Sequence, residues 1–176
     1  MFPQIPFAPG TDKVDYTPYS ADIGKKFIDK DGNLYKLYKL SQTAVGSTFA
    51  AGDTLVLDAD KDEATDDVSA GLDATYPAAA GVVCGSTGVT KSTTSTTYCD
   101  LLLIKGRKKI RSSGTVNQGD GLITSASVDG APVALDKTTV IGSETAKNHF
   151  ILGGKVGVAA GAASSNLVWA DVDIFG

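Results

Sequence analysis

Most of the residues that carry catalysis are scarce in this chain. Its 176 residues include one histidine, one tryptophan, one methionine and two cysteines. The single histidine, His149, has no second histidine and no nearby cysteine, so neither a metal ligand set nor a nucleophile–base pair can be assembled around it. There is no Walker loop, G-x-S-x-G elbow, H-E-x-x-H or C-x-x-C. Carboxylate neighbours such as Asp66-Asp67 and Asp171/Asp173 work as acid and base only where a cleft splits their pKa values, and nothing in the pattern implies a cleft. The expectation is a protein that is not an enzyme and holds no cofactor and no metal.

Other absences exclude further classes. No run approaches the ~18 apolar residues of a membrane span. The opening MFPQIPFAPG has neither the basic nor the apolar region of a signal peptide, so folding in a cytoplasm is expected. Two cysteines, Cys84 and Cys99, are too few for a disulfide scaffold. They flank one turn and could face each other, but reduced, semi-buried thiols are the expected state. Basic residues are outnumbered, 16 Lys and Arg against 20 Asp and Glu, for a net charge of −4. That balance argues against nucleic acid or an anionic membrane as the main partner, because binding phosphate needs a basic face.

What is present leans to β-structure. Glycine reaches 20, Thr, Val, Ser and Ala dominate, and few segments have the composition of long helices. The length fits one domain, or two small ones in contact, burying roughly 70% of the surface of the unfolded chain. Residues 153–176 give the clearest unit. Val156 and Val158, then Val168, Ala170, Val172 and Ile174, alternate at period two around a small-residue turn at 161–166. A similar order occurs earlier. Gly81-Val82-Val83-Cys84-Gly85 matches Gly157-Val158-Ala159-Ala160-Gly161, and residues 98–106 match 168–176. Gly52-Asp53 and Gly119-Asp120 open the strands upstream. This reads as a degenerate internal duplication, with repeats at 49–106 and 116–176; the alternative is chance self-similarity of a Gly- and Val-rich chain.

Residues 1–20 hold four prolines, which disfavours helix and central strand. They also hold Phe2, Ile5, Phe7, Tyr16 and Tyr19. The expectation is an extended apolar arm docked on its own body or on a partner. The body spans 21–176. Asp31-Gly32 between two strand patterns is a hairpin signal; a calcium-loop reading of residues 29–33 fails, because Leu34 and Leu40 stand where such a loop needs Gly and Glu. Val128-Asp129-Gly130-Ala131 signals a second hairpin. Residues 58–67 form an acidic insert, read as a solvated loop with cation binding as the minor reading. Residues 85–97 read as an exposed Ser/Thr tip, and residues 143–150 as one helical turn capped by Ser143. Lys105-Gly106-Arg107-Lys108-Lys109-Ile110-Arg111 reads as a linker or a protein–protein patch. It could pair with the acidic insert of a neighbouring subunit. In the last strand Asp171 and Asp173 leave one face wet, whereas the matching Leu101 and Leu103 imply a strand covered on both faces.

Two stretches carry a resemblance. Ala21-Asp22-Ile23-Gly24-Lys25-Lys26-Phe27, Asp31-Gly32-Asn33-Leu34-Tyr35-Lys36-Leu37-Tyr38-Lys39 and Phe49-Ala50-Ala51-Gly52-Asp53-Thr54-Leu55-Val56 resemble a pattern of tailed-bacteriophage structural proteins. Lys155-Val156-Gly157-Val158-Ala159 and Val168-Trp169-Ala170-Asp171-Val172 are similar to the last strands of phage capsid decoration (cement) proteins. Together they span roughly a third of the chain. The resemblance implies a virion protein, made in the host cytoplasm, that binds the major capsid protein on the outer surface of an assembled head and stabilises it, often as a homotrimer. The duplication, basic run and acidic insert are not part of that pattern. Phe2, Ile5, Phe7, Tyr16, Tyr19, Arg107, Lys108 and Lys109 are the candidate capsid contacts. Alternatives are a head-fibre or tail module, or a carbohydrate-binding β-module using Trp169, Tyr76 and Tyr98. The expected fold is all-β: a compact barrel or sandwich of short antiparallel strands with an extended N-terminal arm.

Overall fold

A computed structural model describes residues 3–43, 45–58, 63–71, 77–135 and 154–174. The fold is all-β. Its strands are β1 (Lys26–Ile28), β2 (Leu34–Leu40), β3 (Thr48–Phe49), β4 (Thr54–Leu57), β5 (Glu63–Thr65), β6 (Ala79–Val82), β7 (Val89–Thr90), β8 (Cys99–Arg111), β9 (Gly121–Ile123), β10 (Val133–Ala134), β11 (Lys155–Ala159) and β12 (Leu167–Asp173). The main sheet runs β1-β2-β5-β4-β6-β8-β12-β11-β9-β10, and β2 also pairs with β8. That extra pairing closes β2, β5, β4, β6 and β8 into a five-stranded barrel. All its pairs are antiparallel except β2–β5.

β8 is long enough to serve two structures. Its first half closes the barrel against β2, through Tyr35↔Leu103 to Lys39↔Cys99. Its second half pairs with β12 from Lys105↔Asp173 to Arg111↔Leu167. Side chains alternate across a strand. Leu102 therefore enters the barrel core with Tyr38, Leu40, Phe49, Leu55 and Val89. Leu101 and Leu103 enter a second core with Leu37, Ile110, Leu122, Val168 and Val172. Lys105-Gly106-Arg107-Lys108-Lys109-Ile110-Arg111 is thus strand and not a linker. The hydrophobic run before it forces the chain to stay extended, and β12 supplies the hydrogen bonds.

Two sets of strands are built alike. β4–β6–β8 and β9–β11–β12 pair in the same order. Thr54↔Val82, Leu55↔Gly81 and Val56↔Ala79 have counterparts in Gly121↔Val158, Leu122↔Gly157 and Ile123↔Lys155, with the register shift at the same point. The opening turns agree as well. Asp53 Oδ2 accepts from Ala50 N–H at 2.6 Å, and Asp120 Oδ2 from Asn117 N–H at 2.8 Å. The last strands differ: Val82 faces Leu103, whereas Val158 faces Asp171. β8 is therefore two residues out of step with the pairing of Leu101 with Asp171 suggested by the sequence. The even offset keeps each residue on its face.

The paired glycines are needed for contact. A Cβ on Gly157 would collide with the Asp171 carbonyl oxygen, and one on Gly81 with the Leu102 side chain. Gly157→Ala is expected to cost about 2 kcal/mol through overpacking, or about 6 °C in melting temperature for a chain this size. A thermal melt checks it.

Three expectations from the sequence need correction. The acidic insert is not a solvated loop at its described ends: Glu63, Ala64 and Thr65 form β5 of the barrel, and Asp58 and Asp66 are buried. Glu63 pairs with Lys39, Asp58 accepts from Ser41 and Thr43, and Asp66 accepts from Val45 N–H. Fixed side-chain and backbone donors make up for the lost water. The Ser/Thr tip is not all exposed, because Val89 fills the barrel core and Ser92 is buried against the Leu40 carbonyl. The basic run is not a linker but the second half of β8, and two of its cations find partners in their own chain, Arg107 with Asp171 and Arg111 with Asp53. Cys84 and Cys99 are free, buried thiols. His149, Tyr76, Phe2 and residues 143–150 lie outside the described residues.

Candidate docking face

The arm is tied to its own body. Ile28 N–H donates to the Pro3 carbonyl, Tyr16 N–H to Thr97 and Cys99 N–H to Val14, at 3.0–3.1 Å. Residues Thr17–Asp22 form a 3₁₀ helix with a proline in its first turn, an exception to the extended arm that proline at a helix start permits. Ile5, Phe7, Tyr16 and Tyr19 are half-buried against the second core. The Phe7 and Tyr19 rings lie 5.0 Å apart, tilted by 58°, and Lys39 Nζ sits 6.0 Å from the Tyr16 ring. These four side chains pack on the chain's own body.

The basic run divides by strand alternation. Arg107 and Lys109 are exposed; Lys108, one step out of phase between them, is half-buried beside Pro9 and Cys84. On the exposed side, each outward cation of β8 faces an outward residue of β12: Lys109 faces Trp169, Arg107 faces Asp171 and Lys105 faces Asp173. Val158 of β11 lies next in line, opposite Asp171. Trp169 is 53% and Val158 44% exposed, two of the three large apolar side chains exposed among the described residues. Arg107 grips Asp171 with two parallel bonds, Nε to Oδ1 at 2.7 Å and Nη2 to Oδ2 at 2.9 Å. The hydrogen bond from Arg107 holds the Asp171 carboxyl below its ordinary range. Lys155 pairs with Asp173. Lys109 has no ion-pair partner among the described residues. A recess of about 350 Å³ opens between Arg107, Ala160, Gly161 and Trp169.

The result is a two-signed face with one exposed indole on its middle strand. An exposed tryptophan costs hydration, and Trp and Arg are the residues that anchor interfaces. Chemically, the face offers an apolar plug, a fixed guanidinium–carboxylate pair and a free ammonium. It offers no nucleophile with a base. Among the described residues there is no group of three or more His, Cys, Asp or Glu placed to hold a metal ion, and no helix is long and apolar enough to cross a membrane. The sequence supplied Arg107 and Lys109. It also pointed to Trp169, as part of a sugar platform with Tyr98, but Tyr98 packs against the barrel core instead. The period-two pattern of β12, which puts Trp169 in phase with Asp171, was the signal that placed the indole outside. No family model matches the chain, and no curated protein matches it.

Proposed function

We propose that this chain is a virion structural protein that binds the outer surface of an assembled phage capsid and stabilises it, as a decoration protein. The observation that carries the reading is the exposed face of β8, β12 and β11, with Trp169 exposed on its middle strand and Arg107 and Lys109 beside it. Its occupant is a surface of the major capsid protein with an apolar notch for the indole and acidic side chains for Lys109. The all-β body, closed on itself, suits a protein whose work is to occupy a surface. The resemblance of residues 21–56 and of the last strands to phage structural proteins points the same way. A homotrimer is the favoured assembly, because repeated copies on a lattice add avidity.

Co-sedimentation with purified undecorated heads tests the reading. Binding to expanded or unexpanded heads is expected, and failure on both rejects it. Charge tells where the contact lies. Lys109→Glu is expected to weaken binding several-fold at low salt, with the loss shrinking as salt screens the surface. Lys108→Glu, on the other side of the strand, is expected to leave the salt dependence of binding unchanged.

A further inference from the structure

Asp100 is a carboxyl in the wrong place for a structural residue. It lies in β8, opposite Tyr38 of β2, with 0% of its surface exposed. One oxygen, Oδ1, accepts from the Gly10 N–H at 2.8 Å. The other, Oδ2, is buried with no hydrogen-bond partner. Such an atom carries its full desolvation cost. What covers it is a short stretch of the arm, residues 8–13, laid across the end of the barrel where β6 stops and β8 begins. Gly10 sits so close to the Cys84 carbonyl, and Gly85 to the Gly10 carbonyl, that a Cβ on either would collide. The stretch itself is mostly exposed. Its second tie is Asp12, whose Oδ1 accepts from both the N–H and the hydroxyl of Thr90 at 2.7 Å.

We propose that residues 8–13 form a proton-controlled clasp over the end of the barrel, closed by Gly10 on Asp100 and by Asp12 on Thr90, and opened when the Asp100 carboxyl ionises. Among the described residues no cation acts on the buried carboxyl. Lys36 of β2 lies over the Tyr38 ring at 5.0 Å, and Lys39 of β2 pairs with Glu63. Tyr38 stands opposite it, the Cys84 and Cys99 thiols both feel its charge, Lys108 acts on the same Cys84 thiol, and Asp12, Lys13 and Asp15 are the titratable groups of the arm next to Gly10. Burial, opposed only by the Gly10 and Leu101 N–H groups, pushes the Asp100 carboxyl up to about 7. In the open state water reaches it, and it returns to the ordinary range near 3.8. The closed state therefore binds more protons between these two values. Closure is strongest below about 4, weakens tenfold per pH unit as pH rises towards 7, and then levels off. Asp12 sets the acid limit. Its hydrogen bond to Thr90 holds it below the ordinary range, so that tie is present above the ordinary value and is lost as pH falls through the lowered one. The clasp grips best in mildly acid solution and loosens at neutral and alkaline pH. This does not depend on the docking reading.

Amide exchange followed by NMR reads the opening directly. After correction for the intrinsic base-catalysed rate, the protection of the Gly10 amide is expected to fall about 100-fold from pH 5 to pH 8. In Asp100→Asn, which keeps an acceptor for Gly10 and cannot ionise, protection is expected to be the same at both values. A second signal needs no variant: the Asp100 carboxyl carbon should titrate near neutrality in step with Gly10. Constant Gly10 protection in the natural protein, or an equal fall in Asp100→Asn, overturns the proposal.

Discussion

Leu101→Asp is expected to lose more than about 4 kcal/mol of folding stability, a large part of the 5–15 kcal/mol typical of a native domain. Leu101 is fully buried. It stands opposite Leu37 in the β2–β8 register, and both belong to the core that joins the barrel to the second set of strands. An aspartate there removes apolar contact and buries a charge with no cation to meet it. The other face of the strand offers no escape, because Leu102 is equally buried in the barrel core. A chemical or thermal melt measures the loss. The contrasting change is Asp171→Asn. Asp171 is more than half exposed and its partner is an equally exposed arginine; solvent screens such pairs, and the melt should be unchanged within error. Equal effects at the two sites would mean that the assignment of inner and outer faces is wrong.

Trp169→Ala is the functional counterpart. Truncating a central aromatic anchor typically costs 2 kcal/mol or more of binding energy, about a 30-fold loss in affinity. The folded state should not notice, because more than half of the side chain is already in water. The signature is therefore a loss of head binding with an unaltered melt. A drop in melting temperature together with lost binding would make Trp169 a packing residue. Unaltered binding would move the contact elsewhere on the molecule.

Local signals in the sequence carried well into the structure. Asp31-Gly32 is the hairpin between β1 and β2, with Gly32 at φ 83°. The turn at 161–166 tightens to Ser165 and Asn166, both at positive φ, between antiparallel β11 and β12. The alternation in residues 168–174 became a strand with one wet face. These succeed because turn chemistry and period two are properties of neighbours in sequence. The barrel was hidden for the opposite reason. Its closure depends on β2 meeting β8 and on the parallel β2–β5 pair, contacts between residues far apart in the chain. Glu63 and Asp66 look like solvent residues until Lys39 and Val45 are brought to them. Asp100 carries no local signal, and only the arm crossing over it sets it apart. The basic run reads as a linker because dense like charge more often belongs to solvated segments. In β8, alternating with Gly106, Lys108 and Ile110, the charges of Lys105, Arg107 and Lys109 describe one face of a strand.

The most direct measurement is an image reconstruction of heads carrying this protein, at a resolution that places its strands. Density for the protein is expected on the outer shell, with β8, β12 and β11 against the capsid and Trp169 inside the contact. Density that shows this face turned to solvent, or heads that carry none of the protein, would contradict it.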